Sequence, residues 1–316
     1  MSRSEGFVLA LSGGIGGAKL ALGLYRILPP GALTVVANTG DDFEHLGLSI
    51  SPDVDTLLYT LAGVDNPELG WGRRDETWTF MQALGSLGGE TWFSLGDGDL
   101  ATHVERTRRL VAGESLSQVT GDFRRRLGIS ARLLPMSDDR VRTRFLTAAG
   151  IELEFQDYFV RHHHAEEIAS VSFEGAAAAR PAPGVVEAIE QAERVIICPS
   201  NPVVSIGPIL AVPGIREALR SARPKVVAVS PIVQGAALRG PAARLLPVVG
   251  AEVSASGVAG LYADICATFV VDRRDAGEVA RIEALGLRPV LLETVMETPE
   301  VAAALAKEIL ALDLDG

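Results

Sequence analysis

Four aspartates offer the first chemistry in this sequence. Asp41 and Asp42 stand side by side in Asn38-Thr39-Gly40-Asp41-Asp42, and Asp53 and Asp55 follow in Ser51-Pro52-Asp53-Val54-Asp55-Thr56. Several carboxylate oxygens beside phosphate oxygens are what a hard cation such as Mg²⁺ selects. A phosphate-binding loop stands just upstream: Ser12-Gly13-Gly14-Ile15-Gly16-Gly17-Ala18-Lys19. Gly13, Gly14, Gly16 and Gly17 would let the backbone approach a ligand closely. A helix opening there would aim free N–H groups and its positive end at an anion, and Lys19 adds a charge. Taken singly, each acid also reads as a cap or turn residue, and Asp53 or Asp55 would cap the apolar run that follows them. The loop matches neither common nucleotide fingerprint. A third glycine is wanted where Lys19 stands, and Ala18 and Leu20 break the P-loop pattern.

Further candidates are spread along the chain. Leu95-Gly96-Asp97-Gly98-Asp99 runs into a helical pattern carrying His103, Arg106, Arg108 and Arg109. Asp99 reads as a cap of that helix. His103 reads as a proton-transfer residue or, more commonly for a lone helical histidine, a structural one. Trp71 and Trp78 offer planar surfaces for stacking, or core packing. His162-His163-His164 suggests metal, but adjacent histidines point in different directions, and a solvated edge is the better reading.

These residues need a frame that gathers them. Phe7 to Leu11, Leu33 to Ala37, Val195 to Cys198, Val226 to Val229 and Thr268 to Asp272 are short, continuous apolar runs. They alternate with helical patterns such as Ala18 to Leu28, Val185 to Ala192 and Pro299 to Leu312. The rhythm predicts an α/β fold: a mostly parallel sheet buried on both faces by helices. Polar loops at the strand ends, including Asn38-Thr39, Ser200-Asn201 and Ser230, would then line one crevice. Residues 104–182 break the rhythm, and Ile151-Glu152-Leu153-Glu154-Phe155 alternates like a half-exposed strand. An inserted α+β region is expected there, within a single domain spanning residues 1–316.

Composition narrows the class. The net charge of −11 argues against a nucleic-acid partner. Cys198 and Cys266, far apart and near apolar runs, read as buried thiols of a reducing compartment. The lack of a signal peptide and of an apolar run near 18 residues predicts a cytoplasmic protein without membrane spans.

The blocks in order resemble the 2-phospho-L-lactate transferases of coenzyme F(420) biosynthesis. The likeness runs through Gly13 to Lys19, Asn38 to Asp42, Ser51 to Thr56, Leu95 to Asp97, Leu134 to Asp139, Pro199 to Pro202, Val229 to Ile232 and Gly240 to Ala242. It implies a Rossmann-like core with a smaller added region, a homodimer, and a Mg²⁺-dependent reaction. The implied substrates are the deazaflavin Fo and a guanosine-diphospho-linked acid, of the 2-phospholactate or phosphoenolpyruvate type. The phosphorylated acid passes to the terminal ribityl hydroxyl of Fo, and GMP leaves. In such a site Asp41, Asp42, Asp53 and Asp55 would hold the metal, and Asp42 and Asp55 would act in catalysis. The glycines, Lys19, Asn38, Thr39, Asp97, Ser200 and Asn201 would bind substrate. One departure stands out: Gly98 occupies a position where the resemblance implies arginine, and Arg73, Arg74 or Arg106 would have to compensate. The rival readings are a UDP-sugar-binding regulator of the related gluconeogenesis-factor-like family and an NAD-dependent oxidoreductase. The paired acids favour the transferase over the first, and Lys19 in place of glycine disfavours the second.

Overall fold

The computed structural model describes residues 7–67, 71–161, 166–237 and 240–314. The apolar run before the glycines forms β1 (Val8–Ser12), and the chain turns at once into α1 (Gly14–Ile27). β2 (Leu33–Ala37) follows, then a hairpin of β3 (Phe43–His45) and β4 (Leu48–Ile50), then α2 (Pro52–Ala62). Next come α3 (Thr79–Ser86), α4 (Asp97–Val111) and α5 (Leu116–Arg126). They lead to β5 (Arg132–Pro135), which pairs parallel with β2. β6 (Arg142–Thr147), β7 (Glu152–Glu154) and β8 (Ile168–Glu174) make a separate antiparallel sheet in the order β7-β6-β8. The alternation resumes with α6 (Val185–Gln191), β9 (Arg194–Ile197), α7 (Ile206–Ala211), α8 (Ile215–Ser221) and β10 (Val226–Val229). A small hairpin, β11 (Ile232–Val233) and β12 (Ala236–Ala237), precedes α9 (Ala242–Leu245), α10 (Ala255–Tyr262) and β13 (Thr268–Asp272). α11 (Val279–Glu283), β14 (Arg288–Leu292) and α12 (Pro299–Leu310) follow.

The main sheet has seven strands in the order β14-β13-β10-β9-β1-β2-β5, and every pair in it is parallel. Successive side chains of a strand point to opposite faces, and both faces are buried here. Leu9, Leu11, Val195 and Ile197 pack into a core with α6, α7, α8 and α10. Val8, Ala10, Ile196 and Cys198 pack into a second core with α1, α2 and α12. This explains why the strands read as unbroken apolar runs, and it is the expected α/β architecture. Among the described residues, no helix is long and apolar enough to cross a membrane.

β1 lies between β2 and β9. The chain runs outward from β1 in one direction through β2 to β5, and in the other through β9 to β14. This reversal of strand order opens a crevice at the C-terminal ends of β1 and β9. The added region is smaller than 104–182. α4 and α5 form part of the crossover between β2 and β5, so only the sheet from Arg142 to Glu174 stands apart. The alternating run at 151–155 contributes the short strand β7. His162, His163 and His164 lie outside the described residues.

Candidate functional site

Two helices begin at the crevice, and Asp53 joins them. Asp53 sits in the first turn of α2, behind Pro52. Its Oδ1 accepts the Gly14 N–H that opens α1, at 2.7 Å, and its Oδ2 accepts Asn38 Nδ2 at 2.9 Å. Asn38 in turn accepts the Gly40 N–H at 2.8 Å, which fixes the loop after β2. Ser200, from the loop after β9, accepts the Gly13 N–H at 3.1 Å. Three strand-end loops are thereby tied together.

The glycines serve this closeness first. A Cβ on Gly13 would lie 2.6 Å from Asp53 Oδ2, and one on Gly16 would lie 2.6 Å from the Pro199 carbonyl oxygen. A Cβ on Gly17 would overlap the hydroxyls of Ser12 and Ser200. The loop is therefore packed by protein and is not an open cradle. A carboxylate already stands at the N-terminus of α1, where the sequence suggested phosphate. The Lys19 ammonium donates to the Met296 carbonyl, 2.8 Å away, in the segment between β14 and α12.

Asp41 and Asp42 follow on the same loop. Asp41 accepts the Thr143 hydroxyl at 3.4 Å, and Asp42 Oδ2 accepts the Ser51 hydroxyl at 2.8 Å. Asp41, Asp42 and Asp53 are all buried. Burial, then the negative charges of Asp53 and Asp42, hold Asp41 well above the usual carboxylate range. Burial pushes Asp42 up to about 7, opposed chiefly by the charge of Arg142. Burial likewise pushes Asp53 up to about 6 against its hydrogen bonds from Asn38 and Gly14. Ionised groups are disfavoured here because too little positive charge answers them.

Several buried polar atoms at these strand ends have no hydrogen-bond partner among the described residues: Ser12 Oγ, Thr39 Oγ1, Asp42 Oδ1 and Asn201 Nδ2. They come from the ends of β1, β2 and β9. Such atoms are rare in folded proteins, and an ordered water or a ligand satisfies them. Asn201 is otherwise engaged, its Oδ1 accepting the N–H groups of Val203 at 2.9 Å and Val204 at 3.3 Å. Its amide nitrogen is the part left over.

Asp55 goes elsewhere. Residues two apart on a helix face away from one another, so Asp53 looks to α1 while Asp55 looks to α4. There Arg106 clasps it through both guanidinium Nη atoms, with Nη1 to Oδ2 at 3.0 Å. His103 Nδ1 lies 3.6 Å from Asp55, and His103 Nε2 lies 3.2 Å from Asp99. Tyr59 donates its hydroxyl to Asp99 at 2.6 Å. Arg106 is 1% exposed and His103 2%. Burial alone would raise the pKa of Asp99, but hydrogen bonds from His103 and Tyr59 and the positive charges of His103 and Arg106 bring it below the usual value. Among the described residues, Asp55, Asp99 and His103 are the one set of three or more potential ligands whose ligand atoms lie within 4.8 Å of one another. The four expected aspartates are not gathered that closely: Asp55 is turned away and held, and Asp41, Asp42 and Asp53 do not form such a set by themselves.

Asp97 also has a local task. It accepts the Thr77 hydroxyl at 2.5 Å and the N–H groups of Thr79 and Phe80, capping α3. Glu76 returns the favour at α4, accepting Gly98 N–H at 2.7 Å and Asp99 N–H at 2.8 Å. A Cβ on Gly98 would lie 3.1 Å from that carboxylate and 3.5 Å from Arg73 Nε. Arg73 itself lies over the Tyr59 ring, 5.6 Å from its centre. Sequence reasoning missed Glu76, Tyr59 and Arg142. Glu76 and its capped residues are more than 20 positions apart, beyond the reach of any local capping pattern.

A family model described as 2-phospho-L-lactate transferase CofD matches residues 8–307. The chain belongs to the 2-phospho-L-lactate transferase family. It is a transferase. It is 47% identical over 311 residues to a phosphoenolpyruvate transferase of Kitasatospora aureofaciens, covering 96% of this chain and 97% of that one. It is 41% identical over 305 residues to a 2-phospho-L-lactate transferase of Methanosarcina acetivorans, covering 96% and 98%. Among solved structures, a UPF0052 family member from Bacillus halodurans superimposes with a TM-score of 0.64 at 17% identity, covering 96% of this chain and 99% of that one. That likeness concerns the fold alone.

Proposed function

We propose that this transferase moves a phosphorylated carboxylic acid from a guanosine-diphospho-linked donor to the terminal ribityl hydroxyl of Fo. The hydroxyl oxygen attacks the phosphorus that bears the acid. A new P–O bond forms, the bridging P–O bond of the diphosphate breaks, and GMP leaves with that bond's electrons. The observation that carries this reading is the juxtaposition of buried, uncompensated carboxylates with unpartnered polar atoms at the switch point of the sheet. The relative at 47% identity is named for phosphoenolpyruvate, which supports the enolpyruvyl acid as the group transferred.

The donor set suits Mg²⁺. Asp41 and Asp53 are buried hard-oxygen ligands whose negative charges oppose one another, and a divalent cation would answer them. Bound there, it would supply counter-charge to the phosphoryl oxygens. Asp42 Oδ1, free of any partner and on a carboxyl group poised near neutral pH, takes the proton of the attacking hydroxyl. Ser12, Thr39 and Asn201 bind the donor with their unpartnered atoms. Ser200, Asn38 and the glycine loop hold the three strand ends in register, and Lys19 ties α1 to the segment before α12. Asp55 and Asp97 act as positioning residues, through α4 and α3. The same reading takes the protein to be cytoplasmic and a homodimer.

The test is Fo fluorescence with purified protein, with and without Mg²⁺, followed by GMP release when the donor is added. Saturable Fo binding and Mg²⁺-dependent GMP release are expected. Tight binding of a UDP-sugar with no response to Fo would overturn the reading.

A further inference from the structure

The separate sheet meets the crevice at the start of β6. Thr143 donates its backbone N–H to the Gly40 carbonyl at 2.7 Å, and its hydroxyl reaches Asp41. Arg142, beside it, helps to line a small cavity of about 10 Å³ together with Asp41, Asp42, Thr143, Glu154 and Gln156. That volume holds about one water molecule.

Arg142 differs from its neighbours. Arg140 pairs with Glu174 at 3.0 Å, and Arg144 pairs with Glu154 at 2.5 Å and with Glu174 at 2.7 Å. Arg106 is taken by Asp55. Arg142 donates from Nη1 to the Val141 carbonyl at 2.8 Å. Among the described residues it has no other hydrogen bond and no carboxylate within 4.0 Å. A guanidinium carries five N–H donors in a planar fork suited to a carboxylate or phosphate. A half-buried fork with most of its donors unused, beside the acid loop, is built to receive an anion from elsewhere.

We propose that Arg142 recognises the carboxylate of the acid being transferred. This rests on the proposed function. In a 2-phospho acid a single carbon separates the carboxylate from the phosphate oxygen. The group that reads the carboxylate must therefore stand next to the residues that handle the phosphoryl group. Arg142 stands next to Asp41 and Asp42, and the separate sheet thereby supplies the residue that holds the acid's carboxylate.

The experiment compares wild type, Arg142→Met and Arg142→Lys. Calorimetry measures binding of GDP and of the acid-bearing donor, and steady-state kinetics measures both substrates. A charge-assisted fork is worth about ten- to a hundredfold in affinity. Arg142→Met is expected to weaken donor binding and raise the donor KM by that factor. GDP binding and the KM for Fo should stay within about twofold. Arg142→Lys should recover part of the loss, which also answers for a fold disturbed by methionine. Equal weakening of GDP and donor would assign Arg142 to the diphosphate and overturn the proposal, as would an unchanged donor KM. A wild-type protein that releases no GMP from donor and Fo would instead overturn the functional reading, and this inference with it.

Discussion

Two buried, carboxylate-rich regions flank the start of α2, and they are built in opposite ways. Around Asp55 and Asp99, every negative charge has an answer: Arg106, His103 and the Tyr59 hydroxyl close the network. Around Asp41, Asp42 and Asp53, burial holds all three groups above the usual carboxylate range, the negative charges of Asp53 and Asp42 add to it at Asp41, and Asp42 keeps an unpartnered oxygen. The first network is answered in charge, although His103 Nε2 and Arg106 Nε keep no well-aligned hydrogen bond among the described residues, and paired charges of this kind stabilise and position. A network unanswered in charge carries a free-energy penalty that a substrate or cation relieves. Asp53 and Asp55 are two residues apart, and the helix sends them to opposite fates.

The sharpest way to break this comparison is to neutralise one acid on each side. Asp41→Asn should lower turnover by about a thousandfold while leaving the melting temperature unchanged or slightly raised, since it removes a repelling charge. Asp55→Asn should do the reverse in stability. It leaves Arg106 buried without its partner, a loss of about 3–5 kcal/mol, which corresponds to a melting temperature lower by roughly 6–15 °C. If Asp55→Asn melts like wild type and only activity falls, Asp55 belongs to the first region and the contrast fails.

The next test is pH. Asp42 and Asp53 have folded pKa values of about 7 and about 6, above their unfolded values. The folded protein therefore binds more protons than the unfolded chain between about pH 4 and pH 7. Their contribution to stability is fully present below the unfolded pKa and is lost as pH rises through 6 and 7. Asp99 has the opposite sign: its folded pKa is depressed, so its contribution is present above the unfolded value and lost at lower pH. Melting curves in EDTA should show Asp42→Asn removing part of the destabilisation between pH 5.5 and pH 8. Adding Mg²⁺ should shrink the same difference in wild type. A wild-type slope that neither the substitution nor Mg²⁺ alters would remove Asp42 as its source.

The smallest effect concerns the reciprocal caps. Glu76→Ala deprives the first turn of α4 of two acceptors, at a cost of about 1 kcal/mol. It should loosen α4 and, through Asp99 and His103, move kcat less than tenfold. A thousandfold loss in Glu76→Ala would mean that the second region takes part in the chemistry itself.

Much of this was readable from the residues. The apolar runs that became β1, β2, β9, β10 and β13 were legible because a strand buried on both faces must be apolar at every position. β5 and β14 escaped notice, the first because Pro135 reads as a turn, the second because Arg288 and Pro289 begin it. The blocks that gather at the crevice were identified as a set, although the roles within them were not. Gly98 was legible only as a gap; the structure fills the space beside it with Glu76 and Arg73.

The sequence by itself determined the alternation of strand and helix, the family, and the places where the chain turns from strand to loop, because these follow from local pattern and short motifs. The tertiary structure alone decided which acids are answered. A carboxylate has the same side chain in either setting. Whether it is a ligand or a strut depends on the charge brought within a few ångströms of it. For Asp55 that charge comes from Arg106, 51 residues away. Asp41 and Asp53 are left facing one another, without such a partner.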